Sequence, residues 1–268
     1  MTVERMSFNQ ITLDPWSLEK TVAECVRLEV PYIAAWRHKL GDCAAAGRLI
    51  RDAGLKVSSL CRGGWFSAPT AAERLAKLED NRKAIDEAAE IGAPVLVIVT
   101  GPANGQTLDD ARALVGDALA ELAPYAAKAG VALGIEPLHP MFAGDRTVVV
   151  TLKQANDLAE KIASPAVGVV VDAYHVWWDP EVYREIERAG TRILGYHVSD
   201  WPVPLPGILM GRGMMGDGVI ELRRLREAVE RAGYQGPIEV EIFNEDVWRH
   251  ADEGMLELIC ERFRQHVA

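Results

Sequence analysis

Eight short apolar segments alternate along this chain with longer segments of helical periodicity, and this alternation constrains the fold more than any other feature. The predicted strands are residues 6–12, 31–36, 55–61, 94–100, 131–136, 167–172, 192–198 and 237–243. Parallel strands joined by helices close into a barrel when eight such units follow one another. An open doubly wound sheet is the weaker alternative, because no Gly-x-Gly-x-x-Gly sequence follows the first strand. We therefore predict a (β/α)8 TIM barrel.

Capping residues mark the boundaries of the predicted helices, which are residues 17–29, 42–53, 70–91, 107–129, 151–162, 180–189, 219–232 and 246–266. Thr70 followed by Glu73 forms a capping-box pattern, and Gly92 and Gly130 are suited to end the two longest helices. Residues 199–218 are irregular but follow a predicted strand, so we interpret them as an extended loop. Since no linker rich in Pro, Gly or Ser divides the chain, we expect residues 1–268 to form a single domain.

The composition excludes several classes of partner. The net charge is −10, and no basic cluster offsets it, so a nucleic-acid or anionic-membrane surface is not expected. The start of the chain lacks a signal-peptide pattern, and no apolar run reaches membrane-spanning length. The four cysteines are scattered without Cys-x-x-Cys spacing, which favours free buried thiols. These features predict a soluble, cytoplasmic protein.

Four predicted strands end in side chains that can bind a metal ion. They are Glu136, Asp172, His197 and Glu241. The active site of a barrel forms at these strand ends, and a buried group of three carboxylates is very costly unless a cation compensates it. Three oxygen donors and one imidazole, without a thiolate, suit Mn²⁺, Mg²⁺, Co²⁺ or Zn²⁺. The sequence thus predicts a divalent metal site, with Mn²⁺ as the first choice.

One position on the last strand leaves this assignment open. Glu239 and Glu241 are two residues apart and share a face of the strand, because side chains alternate. If Glu241 points into the barrel mouth, Glu239 lies one layer deeper, and the sequence identifies no partner for it. Glu239 is therefore an alternative ligand.

The chain resembles the xylose isomerase-like TIM barrels, a sugar isomerase and epimerase superfamily that includes ketose 3-epimerases, inosose dehydratase and endonuclease IV-type enzymes. The resemblance covers nearly the whole chain and is strongest over "GIEPLHP", "VVVDAYH", "GYHVSDW", "GRGMMGDG" and "IEVEIFN". It implies that the four strand-end side chains together hold one divalent cation. It also implies that His175 and Arg212 contact the sugar.

Further residues after the strands are candidates to line the substrate pocket. Arg62 follows the third predicted strand, and His139 and Arg146 follow Glu136. All seven tryptophans also come just after predicted strands, where their faces can pack against the C–H surface of a sugar. Among them we assign Trp177 and Trp201 to substrate binding.

The predicted function is a divalent-metal-dependent sugar isomerase or epimerase. It abstracts a proton next to a carbonyl, and the metal stabilises the enediolate that results. By resemblance, Glu136 and Glu241 take and return the proton. A dehydratase or lyase acting on a keto-inositol or keto-glycoside is the main alternative, since it begins with the same abstraction. A non-catalytic sugar-binding barrel is a third, weaker possibility.

The nuclease branch of the superfamily is not favoured by this sequence. That branch has extra histidines after strands three and four and in the strand-seven loop, where this chain reads "LCRGGWF", "VTGPANG" and "GRGMMGD". The expected partner is a small molecule: a free sugar, a cyclitol or a sugar acid. The resemblance alone implies a homo-oligomer.

Overall fold

Eight parallel strands follow one another around a closed barrel in the computed structural model, which describes residues 3–252 and 254–268. They are β1 (Met6–Asn9), β2 (Tyr32–Trp36), β3 (Lys56–Gly64), β4 (Val95–Val99), β5 (Ala132–Ile135), β6 (Val167–Asp172), β7 (Ile193–Val198) and β8 (Ile238–Val240). Each strand pairs in parallel with the next, and β8 closes the barrel against β1. The predicted (β/α)8 TIM barrel is confirmed.

One principal helix follows each strand. These helices are α1 (Leu18–Arg27), α2 (Cys43–Asp52), α3 (Ala71–Ile91), α4 (Leu108–Ala129), α5 (Leu152–Ile162), α6 (Val182–Ala189), α7 (Leu222–Arg231) and α8 (Met255–His266). Short helical turns lie in the connecting loops at Gln10–Leu13, Arg37–Leu40, Pro140–Phe142, Ala173–Val176, Gly190–Arg192 and Glu245–Arg249. The predicted capping box is present, because Thr70 and Glu73 each bond the other's backbone N–H. Gly92 and Gly130 end α3 and α4 in the left-handed conformation, as predicted.

Several predicted boundaries were wrong, each for a local reason. The first strand stops at Asn9 instead of residue 12, because the Asn9 side chain accepts the N–H of Ile11 and begins a 3-10 turn. The third strand continues to Gly64, whose backbone N–H and C=O both bond the buried Asn81 side chain. The last predicted helix is two helices, since Gly254 has a φ of +73°, which a right-handed helix does not accommodate.

The main apolar core lies between the strands and the surrounding helices, where residues such as Phe8, Ile85 and Phe263 are buried. Inside the barrel, a separate small cluster is formed by Cys61, Val97 and Val170. Val170 shares a face of β6 with Asp172, because the two residues are two positions apart. The apolar cluster therefore lies below the polar end of the barrel and gives it a packed floor.

Two other sequence predictions concern thiols and membranes. All four cysteines are free and buried, as the scattered spacing predicted. Burial raises the pKa of Cys61 well above its usual range. No helix in the part of the chain that the structure describes is long and apolar enough to cross a bilayer.

Replacing Gly64 by alanine is expected to lower the free energy of unfolding by about 2–4 kcal/mol. Gly64 has a φ of +115°, and an added Cβ would lie 1.8 Å from the carbonyl oxygen of Val99. Gly105→Ala is the matched control, because Gly105 has a φ of +82° but no described atom lies within 4 Å of its Cβ position. Urea unfolding should show a loss of only about 1–2 kcal/mol for this control. Equal losses would contradict the steric argument.

Candidate metal and substrate site

The four predicted ligands come together at the C-terminal ends of four strands. Glu136 follows β5 directly, Asp172 ends β6, His197 lies on β7, and Glu241 follows β8. One ligand atom from each of the four lies within 4.8 Å of the corresponding atoms of the others, and all four residues are buried. Parallel strands of a closed barrel bring these ends to one point, which is why residues far apart in sequence meet here.

Two atoms at the centre of this cluster have no hydrogen-bond partner among the described residues. They are Nδ1 of His197 and Oε1 of Glu136. The two atoms are 3.1 Å apart, but not in hydrogen-bond geometry, and Oε2 of Glu241 is 3.7 Å from the same Nδ1. Buried polar atoms are normally satisfied. A divalent cation between them would satisfy all of these atoms, so the donor set fits such an ion.

The charges of the cluster favour the same conclusion. Burial raises the pKa of Glu136 to about 7, although His197 opposes this shift. Burial would also raise the pKa of Asp172, but the Arg212 guanidinium lowers it to about 2. Nη1 of Arg212 lies 2.8 Å from Oδ2 of Asp172 and 3.2 Å from Oε2 of Glu241. Three donor carboxylates against one guanidinium leave an excess of negative charge, which favours the binding of a cation.

The structure supplies the partners of Glu239 that the sequence did not identify. Oε1 of Glu239 accepts a hydrogen bond of 2.6 Å from Nδ2 of Asn9, and Oε2 accepts one of 2.8 Å from Ser59. Oε2 also lies 3.5 Å from Nε2 of His197. Glu239 thus faces the ring nitrogen on the far side of the imidazole, while Nδ1 faces Glu136 and Glu241. Glu239 supports the cluster from beneath and is not one of its four donors.

A cleft that is open to solvent lies above the cluster. Glu136 and Glu241 are among the described residues that line it, whereas Asp172 and His197 are not. Asp172 and His197 are 0% and 1% exposed, so they lie beneath the cleft floor. Two of the four donors therefore have access to a molecule bound in the cleft.

His175 and Arg212, both predicted to contact the substrate, line the same cleft. Nη2 of Arg212 lies 3.1 Å from Nε2 of His175. The other ring nitrogen, Nδ1, accepts the backbone N–H of His139 at 3.2 Å. Burial lowers the pKa of His175 to about 3, so the ring is neutral at physiological pH. The guanidinium also lies over the ring of Tyr174, 4.8 Å from its centroid, which fixes its direction.

Arg62 and Arg146 also line the cleft, whereas three other predicted contacts do not. His139, Trp177 and Trp201 are not among the described lining residues. The Trp201 ring packs against His139 and Trp177, with centroid separations of 4.8 and 5.5 Å. Trp201 also packs against Tyr174, whose ring supports the Arg212 guanidinium. Their direct contact with a substrate stays a prediction.

The aromatic residues that line the cleft in the structure differ from the two tryptophans assigned to the substrate from the sequence. The described cleft wall contains Trp36, Trp65, Phe142 and Phe243. Trp36 ends a predicted strand and Trp65 follows one, much as Trp177 and Trp201 do, so the sequence pattern does not separate the two pairs. The hydrogen bond from Nε1 of Trp36 to Oδ1 of Asn9, at 2.7 Å, fixes this ring at the mouth.

Comparison with known proteins gives one consistent family. A family model described as "Xylose isomerase-like TIM barrel" matches residues 19–264. L-ribulose-5-phosphate 3-epimerase UlaE of Salmonella paratyphi A is 26% identical over 210 residues, which are 76% of this chain and 70% of that protein. Protein SMc04130 of Sinorhizobium meliloti 1021 has a TM-score of 0.96 at 44% identity, over 99% of each chain.

The IolI protein, solved with a bound zinc atom, superposes with a TM-score of 0.84 over 98% of each chain. At 19% identity this likeness shows the fold alone. The match of the family model extends from α1 into α8 and includes all strands except β1. The chain belongs to the xylose isomerase-like TIM barrel family.

Proposed function

We propose that this protein is a divalent-metal-dependent isomerase or epimerase of a keto-sugar or cyclitol. The observation that carries the proposal is the division of the four-donor cluster: Glu136 and Glu241 line the cleft, and Asp172 and His197 lie beneath it. A purely structural metal site would have no reason to present two of its carboxylates to a cleft. Two carboxylates that line the cleft are the arrangement that proton transfer to and from a bound molecule requires.

Each residue of the site has a distinct role in this proposal. One of Glu136 and Glu241 removes the proton next to the substrate carbonyl, and the other returns a proton from its own side of the cleft. Asp172 and His197 complete the donor set from below. When bound, a divalent cation supplies Lewis-acid stabilisation of the negative charge that develops on the substrate oxygens. Mn²⁺ is our first choice, with Mg²⁺, Co²⁺ and Zn²⁺ as alternatives.

The polar and aromatic walls position the substrate. The neutral His175 imidazole and the Arg212 guanidinium both reach the cleft and are suited to bind hydroxyl or carbonyl oxygens. Trp36 and Trp65 offer aromatic faces to the C–H surface of a sugar and exclude water from the reacting carbon. The names of the relatives support the proposal, since UlaE is an L-ribulose-5-phosphate 3-epimerase and IolI was solved with zinc.

The proposal is tested by proton exchange with solvent. Purified protein with added Mn²⁺ is incubated in D₂O with ketoses, inososes and 3-keto-glycosides, and the products are followed by NMR. We expect deuterium at the carbon next to the carbonyl, with the sugar recovered in its original or epimeric form. Loss of water or of an aglycone would instead identify a dehydratase or lyase. A protein that binds no divalent metal and exchanges no proton with any member of this panel would contradict an enzymatic function.

A further inference from the structure

The cleft contains a guanidinium that makes no hydrogen bond or ion pair with any described residue. Arg62 lies on β3, is half-buried and lines the cleft with Glu136 and Glu241. Residues 3–252 and 254–268 provide Arg62 with no hydrogen bond and no ion pair within 4.0 Å. Arg37, by contrast, pairs with both Asp80 and Glu87. A partly desolvated and unpaired guanidinium costs free energy, so its presence in the wall calls for a ligand.

Packing holds Arg62 in place even though no carboxylate does. Its guanidinium carbon lies 3.7 Å from the centroid of the Trp65 ring. The Trp65 backbone N–H in turn donates to the carbonyl of Val99 at 3.0 Å, which ties the residue to β4. A guanidinium stacked on a fixed ring loses little further conformational entropy when it binds a planar anion.

A second guanidinium, that of Arg146, lies in the same wall of the cleft. Arg146 lines the cleft, and its guanidinium carbon is 5.9 Å from the centroid of the Phe142 ring. Nε of Arg146 is 3.6 Å from Oδ2 of the exposed Asp145, so its charge is partly compensated. The charge of Arg212 is shared with Asp172 and Glu241. Of the three arginines that line the cleft, Arg62 is therefore the one that makes no ion pair with a described residue.

We propose that the substrate carries a carboxylate that binds Arg62, with Arg146 beside it, so that the substrate class is a sugar acid or a cyclitol acid. This inference rests on the proposed function and specifies its substrate. The planar fork of a guanidinium matches a carboxylate in two parallel hydrogen bonds. One guanidinium without an ion-pair partner matches a monoanion better than it matches a doubly charged phosphomonoester. The carboxylate would bind on the Arg62 side of the cleft, with the reacting carbon next to the two glutamates.

The test compares ligands that differ only at one carbon. Binding of D-fructose, D-fructuronate and D-fructose 6-phosphate, and of the matching tagatose series, is measured by calorimetry on the Mn²⁺-loaded protein. We expect at least one hexuronate to bind about 10-fold or more tightly than its neutral ketose. Arg62→Met, which keeps the apolar stem on Trp65, should weaken hexuronate binding about 10- to 100-fold and change ketose binding little. Arg62→Lys should recover part of the loss.

The control variant is Arg231→Met, which makes the same change of charge at an exposed site on α7 and should bind all ligands as the wild type does. Arg146→Met should reduce hexuronate binding less than Arg62→Met does, and thermal unfolding of each variant checks that it is folded. The inference is wrong if no carboxylate advantage appears in either series, if Arg62→Met leaves the advantage intact, or if the phosphates bind more tightly.

Failure of this inference is distinguishable from failure of the proposed function. Deuterium exchange into a neutral ketose, without any carboxylate advantage in binding, would leave the enzymatic proposal standing and remove the sugar-acid assignment. Carboxylate-dependent binding without exchange into any compound would support the sugar-acid assignment and remove the enzymatic proposal.

Discussion

Glu136→Gln is expected to reduce solvent-proton exchange by about 10³-fold or more, the largest effect among the predicted variants. Glutamine has nearly the same shape, but its amide cannot accept a proton at neutral pH. Its N–H₂ group also replaces a negatively charged oxygen that would bind the cation. Glu241→Gln is expected to have a comparable effect, because Glu241 also belongs to the donor set and lines the cleft. Exchange is measured by NMR in D₂O, and metal content is measured separately on the same preparations.

The stability of Glu136→Gln provides an independent check. Without a cation, Oε1 of Glu136 is buried and has no hydrogen-bond partner among the described residues, so the carboxylate is destabilising. The metal-free variant should therefore unfold at the same temperature as the metal-free wild type or higher. Glu187→Gln is the control, since this exposed residue of α6 lies outside the cleft and should retain full exchange and metal binding. Wild-type exchange by Glu136→Gln would contradict the assigned role.

The architecture and the donor set were largely predictable from the sequence, because both depend on local patterns. Alternation of strands and helices implies the barrel, and barrel closure brings strand ends together whatever their separation along the chain. Asp172 and His197 were identifiable because a polar residue at the end of an apolar strand is unfavourable unless something pairs with it. The pairing of β6 with β7 then places Asp172 directly beside His197.

The support beneath the donors was not predictable, because it depends on contacts between distant strands. Glu239 bonds Asn9 on β1 and Ser59 on β3, and neither contact has a sequence pattern. The choice between Glu239 and Glu241 as ligand also required the structure, since both lie on the same face at the end of β8. The cleft lining depended on loop conformations, which side-chain alternation does not determine.

Arg212 contacts the donor set and also lines the cleft. The sequence resemblance assigned it to the substrate, and its guanidinium does reach the cleft. The structure adds ion-pair contacts with Asp172 and Glu241, which reduce the negative charge of the donor set. The residue is therefore placed to adjust the affinity for a cation as well as to bind a substrate oxygen.

Glu239→Gln is expected to weaken divalent-metal binding about 10- to 100-fold while leaving much of the turnover at saturating metal intact. Oε2 of Glu239 lies 3.5 Å from Nε2 of His197, and a negative charge there favours the tautomer that carries its proton on Nε2. That tautomer leaves the Nδ1 lone pair free to bind a cation together with Glu136 and Glu241. Glutamine removes the charge and presents an N–H₂ group in either of its two orientations, so the correct tautomer is less favoured.

Metal titration followed by calorimetry, with exchange rates measured at each metal concentration, separates this positioning role from a purely structural one. Ser58→Ala is the control, because Ser58 approaches Oε2 of Glu239 only at 3.4 Å, and its loss should change metal affinity little. A structural role alone would lower the unfolding temperature of Glu239→Gln and leave metal affinity at the wild-type value. That outcome would contradict the prediction, whereas weaker metal binding with exchange restored by excess metal would locate the function of Glu239 in the orientation of His197.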